Sequence, residues 1–104
     1  MINIFDKLAI LYYINKAETD VYYDCYKNSS LRRIRINNDA FISIDSYKDY
    51  DFNPRYVLRY HLPNKPEYNI KPNQQSYWDK LFIQKMYSKM FNNYLAKHNL
   101  TNSK

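Results

Sequence analysis

Apolar residues recur along this chain at two periods, and the switches between them divide it into elements. From Asn73 to His98 the period is helical: Ile83, Met86, Tyr87, Met90, Phe91 and Tyr94 fall at i, i+3, i+4, i+7, i+8 and i+11, which gathers them on one side of a 3.6-residue helix. A second stripe of aromatic residues followed by cations, Trp78, Phe82, Lys85 and Lys89, lies on the opposite side. Near the start of the chain, Asn3 with Asp6 three residues on is the pattern of a capped helix, and Ile4, Phe5, Leu8, Leu11 and Tyr12 give that helix a broad apolar face to about Glu18.

Between the helices the period falls to two. Val21 to Lys27 alternates β-favouring residues and predicts a strand, followed by a turn at Asn28-Ser29-Ser30. Leu31 to Ile36, the turn Asn37-Asn38-Asp39, and Ala40 to Asp45 predict a basic hairpin over 31–45. Asn and Asp tolerate the left-handed backbone such a turn needs. A three-residue loop puts Ile34 and Ile36 on one face with Ala40, Ile42 and Ile44, and Arg33 and Arg35 on the other beside Phe41 and Ser43. Arg55 to Leu62 predicts the last strand, with Tyr56, Leu58, Tyr60 and Leu62 alternating against Arg55, Val57, Arg59 and His61. Ser46 to Pro54 reads as an acidic loop, 63–72 as a proline-rich connector unable to continue a strand or begin a helix before Pro72, and 99–104 as a frayed tail.

The expected fold is therefore α+β in a single domain, 1–104: an N-terminal helix, an antiparallel sheet of three to four strands, and a long C-terminal helix packed on one sheet face. A winged-helix-like arrangement, with the hairpin as wing, is the alternative. Its difficulty is that the stretch between Val21 and Leu31 is too short for two middle helices.

Composition narrows the chemistry. The chain has no glycine among 104 residues, where average usage near ~7% predicts roughly seven. Phosphate-binding loops, dinucleotide fingerprints and nucleophile elbows need glycine for tight turns and close backbone approach, so all three are excluded. Thirteen tyrosines, with many Asn, Lys and Ile, use A/T-rich codons and point to a phage or mobile element of a low-GC bacterium. Cys25 is the only cysteine, so no intrachain disulfide is possible and a reduced, cytoplasmic setting follows. The apolar run Leu8 to Ile14 is too short to cross a bilayer, and no membrane partner is expected. Neither a cofactor nor a metal centre is expected: His61, His98 and Cys25 lack ligand spacing, and Asp45, Asp49 and Asp51 do not match a calcium loop.

Charge is unevenly placed. Residues 1–52 carry seven Lys/Arg against eight Asp/Glu, a net of −1, whereas residues 53–104 carry nine against two, a net of +7. Concentrated cation draws polyanions through counterion release. The first expectation is a small non-enzymatic nucleic-acid-binding protein, with Arg33, Arg35, Arg55 and Arg59 meeting phosphates, Phe41 stacking on bases, and Trp78, Phe82, Lys85 and Lys89 extending the surface. A second is a protein-binding inhibitor of a host nucleic-acid machine, in the manner of an anti-CRISPR protein, because tyrosine and arginine dominate interface hot spots. A third is a small toxin-type ribonuclease, with His61 moving protons beside Arg35 and Arg59-Tyr60. The expected partners are thus nucleic acid or a nucleic-acid-handling complex, with a homodimer through an exposed strand edge or the Trp78/Phe82 stripe also open.

Overall fold

The computed structural model describes residues 2–20, 22–24 and 31–97. The predictions made at Cys25, at the 28–30 turn, at His98 and over the 99–104 tail lie outside these residues. Helix α1 (Ile4–Asp20) opens on Asn3. The Asn3 Oδ1 accepts the Asp6 N–H at 2.8 Å, covering one of the donors a helix start leaves unsatisfied, and its carbonyl accepts the Lys7 N–H at 3.0 Å as the first bond of the helix.

Five strands follow: β1 (Tyr22–Asp24), β2 (Leu31–Arg35), β3 (Phe41–Lys48), β4 (Pro54–His61) and β5 (Glu67–Ile70). They pair antiparallel in chain order, β1-β2-β3-β4-β5. A 3₁₀ turn (Pro72–Gln74) leads to helix α2 (Tyr77–Lys97). The fold is α+β, as the two periods predict. Among the described residues, strands occupy the middle of the chain, where a winged helix would need helices.

The hairpin register is Ile34 opposite Ile42 and Arg35 opposite Phe41, the pairing that separates isoleucines from arginines. Its loop is held by Asn37, whose Oδ1 accepts the N–H groups of Asp39 and Ala40, each at 2.8 Å.

Two segments differ from expectation. The 46–54 loop is shorter than predicted, because Ser46, Tyr47 and Lys48 pair with Tyr56, Arg55 and Pro54. What remains is a turn built on Asp49, whose Oδ1 accepts the Asp51 and Asn53 N–H groups at 2.9 and 3.0 Å while Oδ2 pairs with Arg55 at 2.7 Å. The Asn53 N–H leads the influences that hold the Asp49 carboxyl below its ordinary pKa. The connector also yields β5, which pairs from Leu58 with Ile70 to His61 with Glu67. Pro66 and Pro72 bracket it without penalty because it is an edge strand, where a missing N–H costs no ladder bond. Gln75 then turns the chain off the sheet, its Nε2 donating to the Tyr56 and Ile70 carbonyls at 2.8 and 3.2 Å. Ser76 and Asp79 close a reciprocal cap at the start of α2, both bonds at 3.2 Å.

Both helices lie on one sheet face. Ile10 and Ile14 of α1 and Ile83, Met86 and Met90 of α2 are buried with Ile34, Ile42, Ile44, Leu58, Tyr60 and Leu62 of the sheet. The helices run side by side in the same direction: the Ile2 N–H points to Asp79 at 3.4 Å, and Asn93 Nδ2 donates to the Ile14 carbonyl at 3.1 Å. Two buried carboxylates join the layers. Asp6 accepts from Tyr60 Oη at 2.7 Å and from Lys65 Nζ at 3.1 Å. Burial, and then the bond to Asp6, push the Tyr60 hydroxyl well above its usual pKa. Asp79 pairs with Lys7 at 3.3 Å. No helix of the described residues is long and apolar enough to cross a membrane.

Candidate functional site

With both helices on one side, the opposite face of the sheet has no described element packed on it. Alternation along β2, β3 and β4 sends Arg33 and Arg35, Phe41 and Ser43, and Arg59 and His61 to this open face, and the register brings them together: Arg35 opposite Phe41, Phe41 opposite His61, Arg33 and Arg59 both opposite Ser43.

Phe41 is the centre of the group. Arg33 and Arg59 sit diagonally from it on neighbouring strands, within reach of long side chains, and lean onto its ring with guanidinium carbons 4.6 and 5.3 Å from the centroid. The His61 ring lies 6.2 Å away, tilted by 46°. Only 9% of Phe41 is exposed, so the surface offered outward is guanidinium resting on a ring. Stacking keeps a planar cation pre-organised while its outer N–H groups stay available. Arg33 Nε and His61 Nδ1 are buried here without a hydrogen-bond partner.

A depression of about 670 Å³ opens beside this group, lined by Arg33, Arg35, Phe41, His61, Lys65 and Glu67 among others. It forms because alternate turns of a meander fall at the same end of the sheet, so the 37–39 and 63–66 loops wall it together. Glu67 enters as a counter-ion: its Oε2 accepts from Arg59 Nε at 3.0 Å and lies 2.9 Å from Arg59 Nη2. The pair is half-exposed on both sides and is exchangeable at little cost.

Of the nine residues singled out from sequence, the structure brings together Arg33, Arg35, Phe41 and Arg59. Arg55 is on the same face at the far end of the sheet, tied to Asp49. Trp78, Phe82, Lys85 and Lys89 belong to α2, on the other side of the sheet, and do not extend the arginine group. Trp78 and Lys85 are exposed; Phe82 is half-buried beneath the Lys7 ammonium, 5.6 Å from its ring, and Lys89 is half-buried. The ribonuclease constellation is divided too: His61 and Arg35 share the depression, while Tyr60 faces the helices and donates to Asp6. Glu67 was missed as a site residue, because its position depends on β5 pairing with β4; Lys65 borders the depression with its ammonium turned to Asp6. Glu67 directly opposite His61 would have revealed it, had the connector been read as a strand.

Comparison with protein-family models, with curated proteins and with solved structures returns no match.

Proposed function

We propose that this protein binds single-stranded nucleic acid on the open face of its sheet. The observation that carries the reading is the group Arg33, Phe41 and Arg59, two guanidinium groups over one nearly buried ring at the lip of a depression that also holds Arg35. Guanidinium planes stack on unpaired bases while their edges hydrogen-bond phosphate, and a flat antiparallel sheet is a common platform for both. A rigid duplex would meet a recessed site, whereas a single strand can splay a base into it.

Fluorescence anisotropy with single-stranded and duplex oligonucleotides tests this. Three arginine–phosphate contacts predict that log K falls with log salt at a slope of about −2 for a single strand. Arg33→Ala and Arg35→Ala each flatten the slope by about 0.7, whereas Arg55→Ala, at the remote Asp49 pair, leaves it unchanged. Equal loss in all three variants, or binding indifferent to salt, refutes the site. RNA cleavage by the wild type and not by His61→Ala would indicate catalysis instead. Recovery of a stoichiometric host protein that survives nuclease treatment and is lost in Arg33→Ala would favour the inhibitor reading.

A further inference from the structure

The helix layer, on the side away from the arginine group, exposes apolar surface that the fold does not use. On α1, Ile4, Phe5, Leu8 and Tyr12 are each between 57% and 75% exposed, and on α2 Trp78 and Leu81 are 68% and 41% exposed. Tyr77 extends the patch, its ring edge-on to Trp78 at 5.2 Å. The two helices share this surface because they run in parallel with Lys7 between them, against Asp79 and over Phe82. Ile4 lies a turn before Lys7 and Trp78 a turn before Phe82, so these two border the interhelical groove, and Leu8 and Leu81 follow them at i+4 and i+3 on the outward sides of the two helices.

Single exposed apolar side chains are ordinary, but a contiguous set is not. At roughly 150–250 Å² for each large side chain, the exposed fractions amount to about 800 Å², above the largest patch of a typical monomer, roughly 300–600 Å². It equals the ~800 Å² that each partner contributes to a standard-size interface.

We propose that this face is the interface of a homodimer, with α1 and α2 of one copy packing on α1 and α2 of a second copy about a two-fold axis. Three features single out a second copy. The area on one protomer meets what a stable two-fold pair requires of each partner. The outer side of α1 from Asn3 to Asn15 exposes no charged residue: Lys7 is half-buried and paired, and Asp6 is buried. That matches an interface core, from which charge is depleted, with the exposed Lys16, Lys80 and Lys85 of the two helices left for its polar rim. Finally, each protomer carries a formal charge of +6, and pairing through the helix layers places the two arginine faces outward, as far apart as the molecule permits.

The dimer therefore responds to salt in the opposite sense to nucleic-acid binding. Screening relieves repulsion between like-charged protomers, so added salt strengthens self-association while it weakens oligonucleotide binding. The inference does not rest on the nucleic-acid reading, since it uses the other side of the sheet.

Analytical ultracentrifugation of the full chain at two salt concentrations is the test, with Leu8→Glu and Arg33→Ala beside the wild type. A two-fold species is expected that tightens with salt, is unchanged in Arg33→Ala, and is weakened by about 30-fold or more in Leu8→Glu, as for loss of one hot-spot side chain. Leu8 is exposed, so circular dichroism should show that variant folded. Trp78, the only tryptophan, reads the same face without substitution: its emission moves to the blue, and acrylamide quenches it less, as concentration passes through the dissociation constant. A monomer at every concentration, a dimer insensitive to Leu8→Glu, or a Trp78 shift seen only on adding phospholipid vesicles overturns the proposal.

Discussion

Phe52 and Asn64 occupy the left-handed region, with φ of 62° and 64°, which other chains commonly reserve for glycine. Asn tolerates that conformation because its short side chain bonds locally; a phenylalanine there crowds its own carbonyl at a cost of about 1–2 kcal/mol. The Phe52 ring is exposed and offers little burial in return. Phe52→Asn is therefore expected to stabilise the protein by about 1 kcal/mol, read as a higher urea midpoint at unchanged slope. A second single-residue effect concerns Glu67, which neutralises Arg59 at the proposed site. Glu67→Gln removes a weak surface pair, so stability should move by less than about 0.5 kcal/mol. Oligonucleotide affinity should rise by about threefold and its salt slope should steepen; unchanged affinity would show that Arg59 does not meet phosphate. At this scale the strand residues were legible. Period-two alternation alone assigns Arg33, Arg35, Phe41 and Arg59 to a common face. By the same parity it assigns Arg32 to the helix side, where the guanidinium is buried against the rings of Tyr87 and Phe91 at 5.8 and 4.8 Å. Trp78 was not legible: a helical repeat shows which residues share a side, and cannot show which shared side a sheet will cover.

Elements are joined here by buried charge as well as by apolar packing. Asp79, in the first turn of α2, is fully buried and holds the Ser76 and Ile2 N–H groups and the Lys7 ammonium. Burial alone would raise its pKa; the Ser76 N–H, Lys7 and Ile2 together outweigh burial and lower it. A carboxyl whose folded pKa is lowered contributes stability that is fully present above its unfolded value, 3.8. That contribution is lost as pH falls from there through the folded value. Asp79→Asn is accordingly expected to cost about 3 kcal/mol near neutral pH, as for a broken buried pair. Its denaturation curve should also flatten below pH 4 relative to the wild type, both read by chemical denaturation across pH. Element order was legible because each of the two helices and the first four strands has its own repeat. The fifth strand was not, since Pro66 and Pro72 argue against a strand unless it is known to lie at an edge. That position is set by pairing with β4, not by anything local to residues 67–70.

At the scale of the whole molecule, one sheet separates two surfaces of different chemistry: guanidinium and depression on one side, exposed apolar helix surface with Lys16, Lys80 and Lys85 about it on the other. The division follows from the order of periods along the chain, since two helices on the same face leave the other face free to collect cations. One further consequence comes from the margin of the sheet. Only the four residues of β5 border solvent along that rim, and the prolines at 66 and 72 stop the ladder just beyond each end. A visiting backbone would find too few free amides there to zip against. Fibre growth by accretion at this rim is thereby suppressed, and the chain can be crowded without cross-β seeding from that side.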